Sequence, residues 1–276
     1  MAKHEFKKEK KKRHRRENDN NEITNTKGKN IIKIILFSIF LLIFVFSGVN
    51  LLRWFIFNQK AATLTNEIID SSFIEENIEV KENDIPKNPI DFNSLEEQNS
   101  DTVAWIRING TNINYPIVQS TNNDYYLHRD FNKEYSTCGW IFMDYKNTET
   151  MIDKNTVLYG HNIKSGIMFS ELKNILNKKL GEDDIKIEIY TPTEKLEYVV
   201  FSAYLREPDD YAIKSNIVKE SDQEKYINEM IRRSNNNYKW VPDKTDRLLT
   251  LSTCDNSGQN RILIHSVYID GETYTK

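Results

Sequence analysis

The sequence predicts a mainly β protein, an eight-stranded closed barrel that follows one membrane-spanning helix and a helical lead-in. Between residues 91 and 276, eight short segments rich in Val, Ile, Tyr and Phe are bounded by Asn, Asp, Gly, Pro and Thr, which is typical of strands joined by turns. A run of 19 uncharged residues precedes them, and two segments with helical spacing of apolar residues interrupt them. Eight strands in a segment of this length favour one closed or nearly closed barrel.

The membrane-spanning helix is predicted from residues 34–52, which carry no charge. A helix of this length crosses the roughly 30 Å of hydrocarbon in a bilayer. Lys33 and Arg53 flank the run, and Trp54 and Phe55 suit the aromatic belt at a membrane interface. A cleaved signal peptide is the competing interpretation, but the run exceeds the roughly 7–15 apolar residues of such a peptide, and no small-x-small cleavage site follows it.

The charge distribution predicts the orientation of this helix. Residues 1–33 contain twelve Lys or Arg and five acidic residues, whereas the rest of the chain carries 26 basic and 36 acidic residues. The positive-inside rule therefore places the basic end in the cytoplasm and everything after about residue 58 outside. The basic segment lacks interleaved aromatic residues and any motif that reads nucleic acid, so we expect no nucleic-acid partner.

Four regions follow from these patterns: a basic cytoplasmic tail (1–33), a transmembrane anchor (34–57), a helical stalk or linker (58–90) and the barrel (91–276). The stalk has apolar residues at near-helical spacing, namely Leu64, Ile68, Ile69 and Phe73. Within the barrel region, SELKNILNKKLG predicts a helix that ends at Gly181. SDQEKYINEMIRR predicts a second helix, opened by a capping box of Ser221 and Glu224. This second helix lies in a late inter-strand connection, where an inserted helix often helps to form a binding groove.

Two cysteines, Cys138 and Cys254, lie in the predicted exterior region. A single disulfide, two buried thiols or one reactive thiol are all compatible with this number. There is no CxxC pair and no His cluster with zinc-ligand spacing, so we expect no metal site. Cys254 ends the predicted strand 248–254, on the same face as Thr250 and Ser252. A strand end on a partly polar face suits a reactive thiol.

A thiol nucleophile needs a basic or cationic neighbour that raises its thiolate fraction. Three histidines are available in the exterior region. His161 follows a predicted strand and is the favoured partner, whereas His265 lies mid-strand as a core histidine and His128 lies in a loop. Arg261 begins the strand after Cys254, where its guanidinium could stabilise a tetrahedral oxyanion or could simply be solvated.

Together these residues resemble the sortase family. The segment TLSTC at 250–254 matches the family's TLxTC signature, LYGHN at 158–162 resembles its catalytic-histidine segment, and Arg261 stands where its catalytic arginine belongs. Class B fits best, because NDYYL at 123–127 and IFMDY at 141–145 resemble class B segments and the helix in the late loop is a class B feature. The resemblance covers roughly residues 63–270 and implies a sortase-type barrel.

The resemblance implies a membrane-anchored cysteine transpeptidase that needs no cofactor. Cys254 would attack the carbonyl after Thr in an NPxTN-like or NPxTG-like C-terminal sorting signal, His161 would act as acid and base, and Arg261 would hold the oxyanion. The acceptor would be a peptidoglycan amine, so the partners are secreted proteins bearing such a signal and a cell-wall precursor or cross-bridge. Residues implied in substrate binding are Ser252, Asn123, Leu127, Tyr211 and Asp255.

Two alternatives accompany this interpretation. A pilin-polymerising sortase would use a pilin lysine as its acceptor, although no DP-type lid motif is visible between residues 58 and 95. A non-catalytic membrane-anchored barrel that binds wall components or proteins would need Cys254, His161 and Arg261 to coincide without catalytic geometry. We expect Cys138 to begin a strand and to pack as a small hydrophobe. We expect no disulfide between Cys138 and Cys254 in the resting protein, because that bridge would remove the nucleophile.

Overall fold

The described part of the chain comprises residues 2–73, 87–177, 185–207, 209, 213–254 and 259–274 of a computed structural model, with side chains described from residue 32 onward except that of Cys254. The chain divides into two compact units, Met1–Ile56 and Phe57–Lys276. The first unit is helical and belongs to α1 (Ala2–Ser72). Among the described residues, Ile32–Ser72 of this helix is the one segment that is long and apolar enough to cross a membrane.

The second unit is built on the predicted eight-stranded barrel, and all eight predicted segments contribute a strand. The strands are β1 (Thr102–Ile108), β2 (Asn114–Gln119), β3 (Phe142–Met143), β4 (Asn155–Tyr159), β5 (Lys186–Tyr190), β6 (Glu194–Arg206), β7 (Leu248–Cys254) and β8 (Arg261–Thr273). The barrel closes in the order β1-β2-β3-β4-β7-β8-β6-β5. The pairs β2–β3 and β4–β7 are parallel and the others are antiparallel.

The barrel core is formed by apolar side chains of the strands. Leu249 and Leu251 of β7 belong to this core, together with Trp105, Ile106 and Leu158. The helical lead-in adds to the same core, since Leu64 and Ile68 of α1 are buried in it. The predicted stalk helix therefore packs against the barrel between Phe57 and Ser72, and a bridge between Phe73 and Ile90 continues this contact.

A second apolar cluster covers the outer face of β6, β7 and β8. It is formed by α4 (Glu220–Arg233), the predicted inserted helix, whose Tyr226, Ile227 and Met230 are buried against the sheet. The predicted capping box is wrong. The helix begins one residue earlier, after Lys219, without a side-chain cap, and the backbone N–H groups of Asp222 and Gln223 donate to the Lys219 carbonyl. Acidic residues in the first turn favour this start, because they interact well with the helix N-terminus.

Two further differences concern short elements. The helix α2 (Phe92–Gln98) was not predicted, although Asp91 caps it by accepting from the backbone N–H of Ser94. Cys138 lies in a turn rather than at a strand start, because β3 is only two residues long. The helix predicted to end at Gly181 is α3 (Leu172–Asn177), and Gly181 lies outside the described residues.

Candidate active site

The parallel pairing of β4 with β7 brings two distant segments to the same end of the barrel. Asn155 pairs with Leu248, and Tyr159 pairs with Ser252. The backbone N–H of Gly160 then donates to the Ser252 carbonyl at 3.2 Å, which extends the pairing beyond the last residue of β4. Extending this parallel register by two residues beyond Tyr159 places His161 beside Cys254, the last residue of β7.

Arg261 lies directly opposite Cys254. The antiparallel register of β7 and β8 makes Cys254 and Arg261 Cα partners, as their spacing across a turn predicts. Arg261 is half-buried, and its positive charge is one of the groups that lower the pKa of His161. The guanidinium is therefore within electrostatic range of the histidine, and all three candidate catalytic residues gather at one end of the barrel.

The imidazole of His161 is half-buried and has a defined hydrogen bond. Its Nε2 atom lies 2.8 Å from the carbonyl oxygen of Leu127. A carbonyl oxygen only accepts, so Nε2 carries the hydrogen and Nδ1 keeps the lone pair in the neutral ring. Burial lowers the pKa of His161 below its ordinary value, and the charges of His128 and Arg261 lower it further against the opposing effect of the Leu127 bond. Nδ1 is thus the atom that can exchange a proton with a reacting group.

Gly139 packs directly against the ring of His161 and the carbonyl group of Leu127. Its φ is +57°, and a Cβ built there would lie 2.8 Å from both His161 Cδ2 and the Leu127 carbonyl oxygen. It would also lie 2.7 Å from the carbonyl oxygen of Tyr126. Real Cβ atoms do not approach other atoms this closely, so the hydrogen bond between His161 and Leu127 requires glycine at this position.

The three histidines occupy the environments expected from the sequence. His265 is a fully buried core histidine whose Nδ1 and Nε2 lie 3.0 Å from Thr250 Oγ1 and 3.2 Å from Tyr204 Oη. Burial lowers its pKa to about 3, so the ring is neutral in the folded protein. His128 is exposed in a loop. Of the three, His161 is the one placed beside the end of β7.

Among the residues expected to bind substrate, Ser252, Asn123 and Leu127 surround the same end of the barrel. Ser252 is buried, and its hydroxyl has no hydrogen-bond partner among the described residues. Leu127 contributes its carbonyl to His161, a main-chain role that the sequence did not indicate. Tyr211 and Asp255 lie outside the described residues.

Asn123 borders a pocket of about 660 Å³ beside β4. Residues 213–219, which lead into α4, also line this pocket. Asp144 and Tyr159 also line it, and neither was singled out from the sequence as a site residue. The only indication of these two residues in the sequence was their position. Tyr159 precedes the Gly160–His161 pair of the histidine segment, and Asp144 ends the IFMD run.

The thiol that does not belong to this site is buried. Cys138 is free, and its Sγ lies 3.5 Å from Oδ1 of Asn58 on α1. Burial raises the pKa of the Cys138 thiol above its ordinary value. No group of three or more His, Cys, Asp or Glu side chains in the described ranges is arranged to hold a metal ion.

Comparison with known proteins decides the family. A family profile described as the sortase domain matches residues 106–268, more than half of the chain. The chain belongs to the sortase family. Sortase B of Listeria monocytogenes is 36% identical over 165 residues, which cover 60% of this sortase and 67% of that protein.

Solved structures agree with this assignment. A Bacillus anthracis protein described as similar to sortase B superimposes with a TM-score of 0.66 at 30% identity, covering 79% of this sortase and 98% of that chain. A Staphylococcus aureus sortase B–substrate complex gives a TM-score of 0.60 at 35% identity, with coverages of 65% and 84%. The protein is therefore a class B sortase, a cysteine transpeptidase.

Proposed function

We propose that this sortase is a single-pass membrane enzyme with a cytoplasmic N-terminus that anchors secreted proteins to peptidoglycan. It would cleave an NPxTN-like or NPxTG-like sorting signal after Thr and transfer the acyl group to a wall amine. The observation that carries this proposal is the meeting of His161, Cys254 and Arg261 at one end of the barrel through two strand registers. The S. aureus relative was solved as a substrate complex, which supports a peptide substrate.

The geometry supports a two-step acyl transfer. Nδ1 of His161 takes the proton of the Cys254 thiol, the thiolate forms a bond to the Thr carbonyl carbon, and the resulting oxyanion is stabilised by Arg261. As the C–N bond breaks, the leaving amine takes a proton from Nδ1 of His161. The incoming amine then gives a proton to the same Nδ1, attacks the thioacyl carbon and releases the thiolate. Throughout both steps Nε2 keeps its hydrogen and donates it in the hydrogen bond to the Leu127 carbonyl.

Substrate binding is proposed for the residues around this centre. Ser252 is proposed from the resemblance and from its place two residues before Cys254, and Asn123 offers a polar side chain at the border of the pocket. Leu127 is half-buried beside His161 and offers apolar contact. Tyr211 and Asp255 are proposed from the resemblance alone.

The proposed topology rests on sequence and helix length together. Residues 1–33 are strongly basic, and the helix over Ile32–Ser72 is long and apolar enough to cross a membrane. Proteolysis of intact cells should degrade the part beyond residue 58 and leave the basic tail protected. Protection of the barrel instead would overturn the orientation.

The activity is tested with the full chain in detergent micelles and fluorogenic NPxTN, NPxTG and LPxTG peptides, with and without an added amine. Cys254→Ala, His161→Ala and Arg261→Ala should each lose at least about 100-fold in kcat/KM, the effect typical of removing one oxyanion donor or more. The matched variants Cys138→Ala and Arg247→Ala should keep wild-type activity. Arg247 serves as a control because it precedes β7 and lies over the ring of Tyr268.

Three outcomes decide the proposal. Cleavage of NP-type peptides with an amine-trapped product supports it, and a wall-peptide amine preferred over a lysine side chain excludes the pilin-polymerising alternative. Cleavage that persists in Cys254→Ala overturns the mechanism. Cleavage of LPxTG peptides alone overturns the assigned signal.

A further inference from the structure

Asp144 is a buried carboxylate that the catalytic scheme does not use. It directly follows β3 and is 5% exposed. Its backbone N–H donates to the Val157 carbonyl of β4 at 2.9 Å, and its own carbonyl accepts from Gln119 Nε2 at 2.9 Å. The main chain at this residue is therefore fixed between two strands, and the side chain projects from a defined point.

The two carboxylate oxygens accept hydrogen bonds from four parts of the chain. Oδ2 accepts from Asn123 Nδ2 at 3.0 Å and from Tyr159 Oη at 2.8 Å. Oδ1 accepts from Ser215 Oγ at 3.2 Å and from the backbone N–H of Lys146 at 3.0 Å. A buried carboxylate is costly unless it is hydrogen-bonded, and this one accepts four bonds.

All four of these partners line the pocket beside β4, and three of them bond Asp144 through a side chain. Asn123 lies in the connection that follows β2, Tyr159 is the last residue of β4 and Ser215 lies in the connection before α4. These three segments are far apart in sequence, and Asp144 contacts a side chain from each. Tyr159 is also two residues before His161, so the same carboxylate reaches the strand that carries the histidine.

Neighbouring contacts hold the same segments in place. Asn123 Oδ1 accepts from the backbone N–H of Tyr145 at 3.0 Å, so both ends of its amide are bonded next to Asp144. The Ser215 carbonyl accepts from Asn147 Nδ2 at 3.2 Å, and Asn155 Nδ2 donates to the Lys214 carbonyl at 2.7 Å. Without Asp144, however, no hydrogen bond among the described residues joins Asn123 to Tyr159 or to Ser215.

We propose that Asp144 is a positioning residue that holds Asn123, Tyr159 and Ser215 in one arrangement and thereby sets the affinity of the pocket for the peptide substrate. This rests on the proposed function in so far as the pocket receives the sorting signal. Asp144 itself touches no reacting atom. Its removal should therefore weaken peptide binding while the chemistry at Cys254 and His161 continues.

The informative substitution is Asp144→Asn, because it keeps the shape and removes the charge. An amide offers one oxygen and one NH₂, so two of the four donors would face another donor. The hydroxyls of Tyr159 and Ser215 can rotate to accept, but the amide of Asn123 and the backbone N–H of Lys146 cannot both be satisfied. Asp144→Ala removes all four bonds, and Asp144→Asn keeps the test interpretable if the alanine variant does not fold.

The experiment combines kinetics and hydrogen exchange on the full chain in detergent. We expect Asp144→Asn to raise KM for the NP-type peptide about tenfold, with kcat within about threefold of wild type. Combined with Asn123→Ala, it should add little further, because residues that act through one another are not additive. Amide exchange should accelerate in residues 121–125 and 213–219. The matched control is Asp153→Asn, in which a half-buried carboxylate that bonds Thr148 is changed.

The results separate this proposal from the function on which it rests. A raised KM with faster exchange in both segments supports it. Wild-type kinetics, a loss confined to kcat, or unchanged exchange in either segment overturns it. If the wild-type enzyme cleaves none of the peptides, the proposed function fails, and the exchange comparison with Asp153→Asn still decides whether Asp144 holds the segments together.

Discussion

The Nε2 atom of His161 donates to the carbonyl oxygen of Leu127 at 2.8 Å. This bond determines which nitrogen of the ring faces the reaction, because the hydrogen on Nε2 leaves Nδ1 as the only basic atom. The pair is separated by 34 residues and belongs to two segments that meet only in the folded barrel. The orientation of the proposed acid–base residue is thus set by a main-chain group.

Substituting Gly139 should selectively disturb the hydrogen bond between His161 and the Leu127 carbonyl. In Gly139→Ala, the new Cβ would press on both the Leu127 carbonyl and the His161 ring, so we expect kcat/KM to fall by about 10- to 100-fold, the range a displacement of about 1 Å produces. Gly110→Ala is the matched control, because its φ is +78° but nothing lies within 4 Å of the new Cβ. Equal losses in the two variants would show that backbone strain, and not the histidine, is responsible.

His265 should make the stability of the barrel dependent on pH. Burial lowers its pKa to about 3, so below its ordinary value of 6.5 the unfolded chain takes up a proton that the folded chain does not. We expect the free energy of unfolding to decrease as pH falls from about 6.5 toward 3, with a contribution of up to about 1.4 kcal/mol per pH unit from this residue.

Denaturant unfolding of wild type and His265→Gln at pH 7, 5.5 and 4.5 checks this expectation. The variant should be less stable at pH 7, and the difference from wild type should narrow at acidic pH. Ile227→Val changes the same outer cluster without a titratable group and should lower stability equally at each pH. A difference that stays constant for His265→Gln would contradict the prediction.

The two cysteines should differ sharply in reactivity. Burial and a raised pKa make the Cys138 thiol a poor nucleophile. Wild type and Cys138→Ser should therefore be labelled by iodoacetamide at the same rapid rate and at a single site under native conditions. Cys254→Ala should lose that rapid labelling. Rapid labelling of Cys138, measured by peptide mass spectrometry, would show that its environment opens in solution.

The helical lead-in should contribute to the stability of the barrel. Ile68 on α1 is 1% exposed within the core, so Ile68→Ala should lower the free energy of unfolding by about 2–5 kcal/mol. Leu205→Ala, at a position 42% exposed, should change it by less than about 1 kcal/mol. If denaturant titrations show that Ile68→Ala lowers the free energy of unfolding as little as Leu205→Ala, the lead-in does not stabilise the barrel.

The barrel could be predicted from sequence because its strands have clear local signals. Each strand combines β-branched and aromatic residues with bounding turn residues, and the short spacing between Cys254 and Arg261 is itself enough to indicate that their strands pair. The closing pairs β1–β5 and β4–β7 have no such local signal, since the register between distant segments depends on the packing of the whole core.

The contacts around the candidate catalytic residues could not be predicted for a related reason. The role of Leu127 lies in its carbonyl, and every residue has one, so the side chain gives no indication. Gly139 and Asp144 matter because of groups that approach from elsewhere in the chain. The position of α4 was predicted from its apolar spacing, whereas its first residue was not, because Lys219 takes the capping position with no side-chain bond.

The parallel register of β4 and β7 also determines when the enzyme acquires activity during folding. Contacts between segments so distant in sequence form late, because closing a long loop costs entropy before the strands can bond. Until β7 is seated beside β4, His161 has no nucleophile next to it. A partly folded chain would therefore lack the histidine–cysteine pair that the proposed reaction needs.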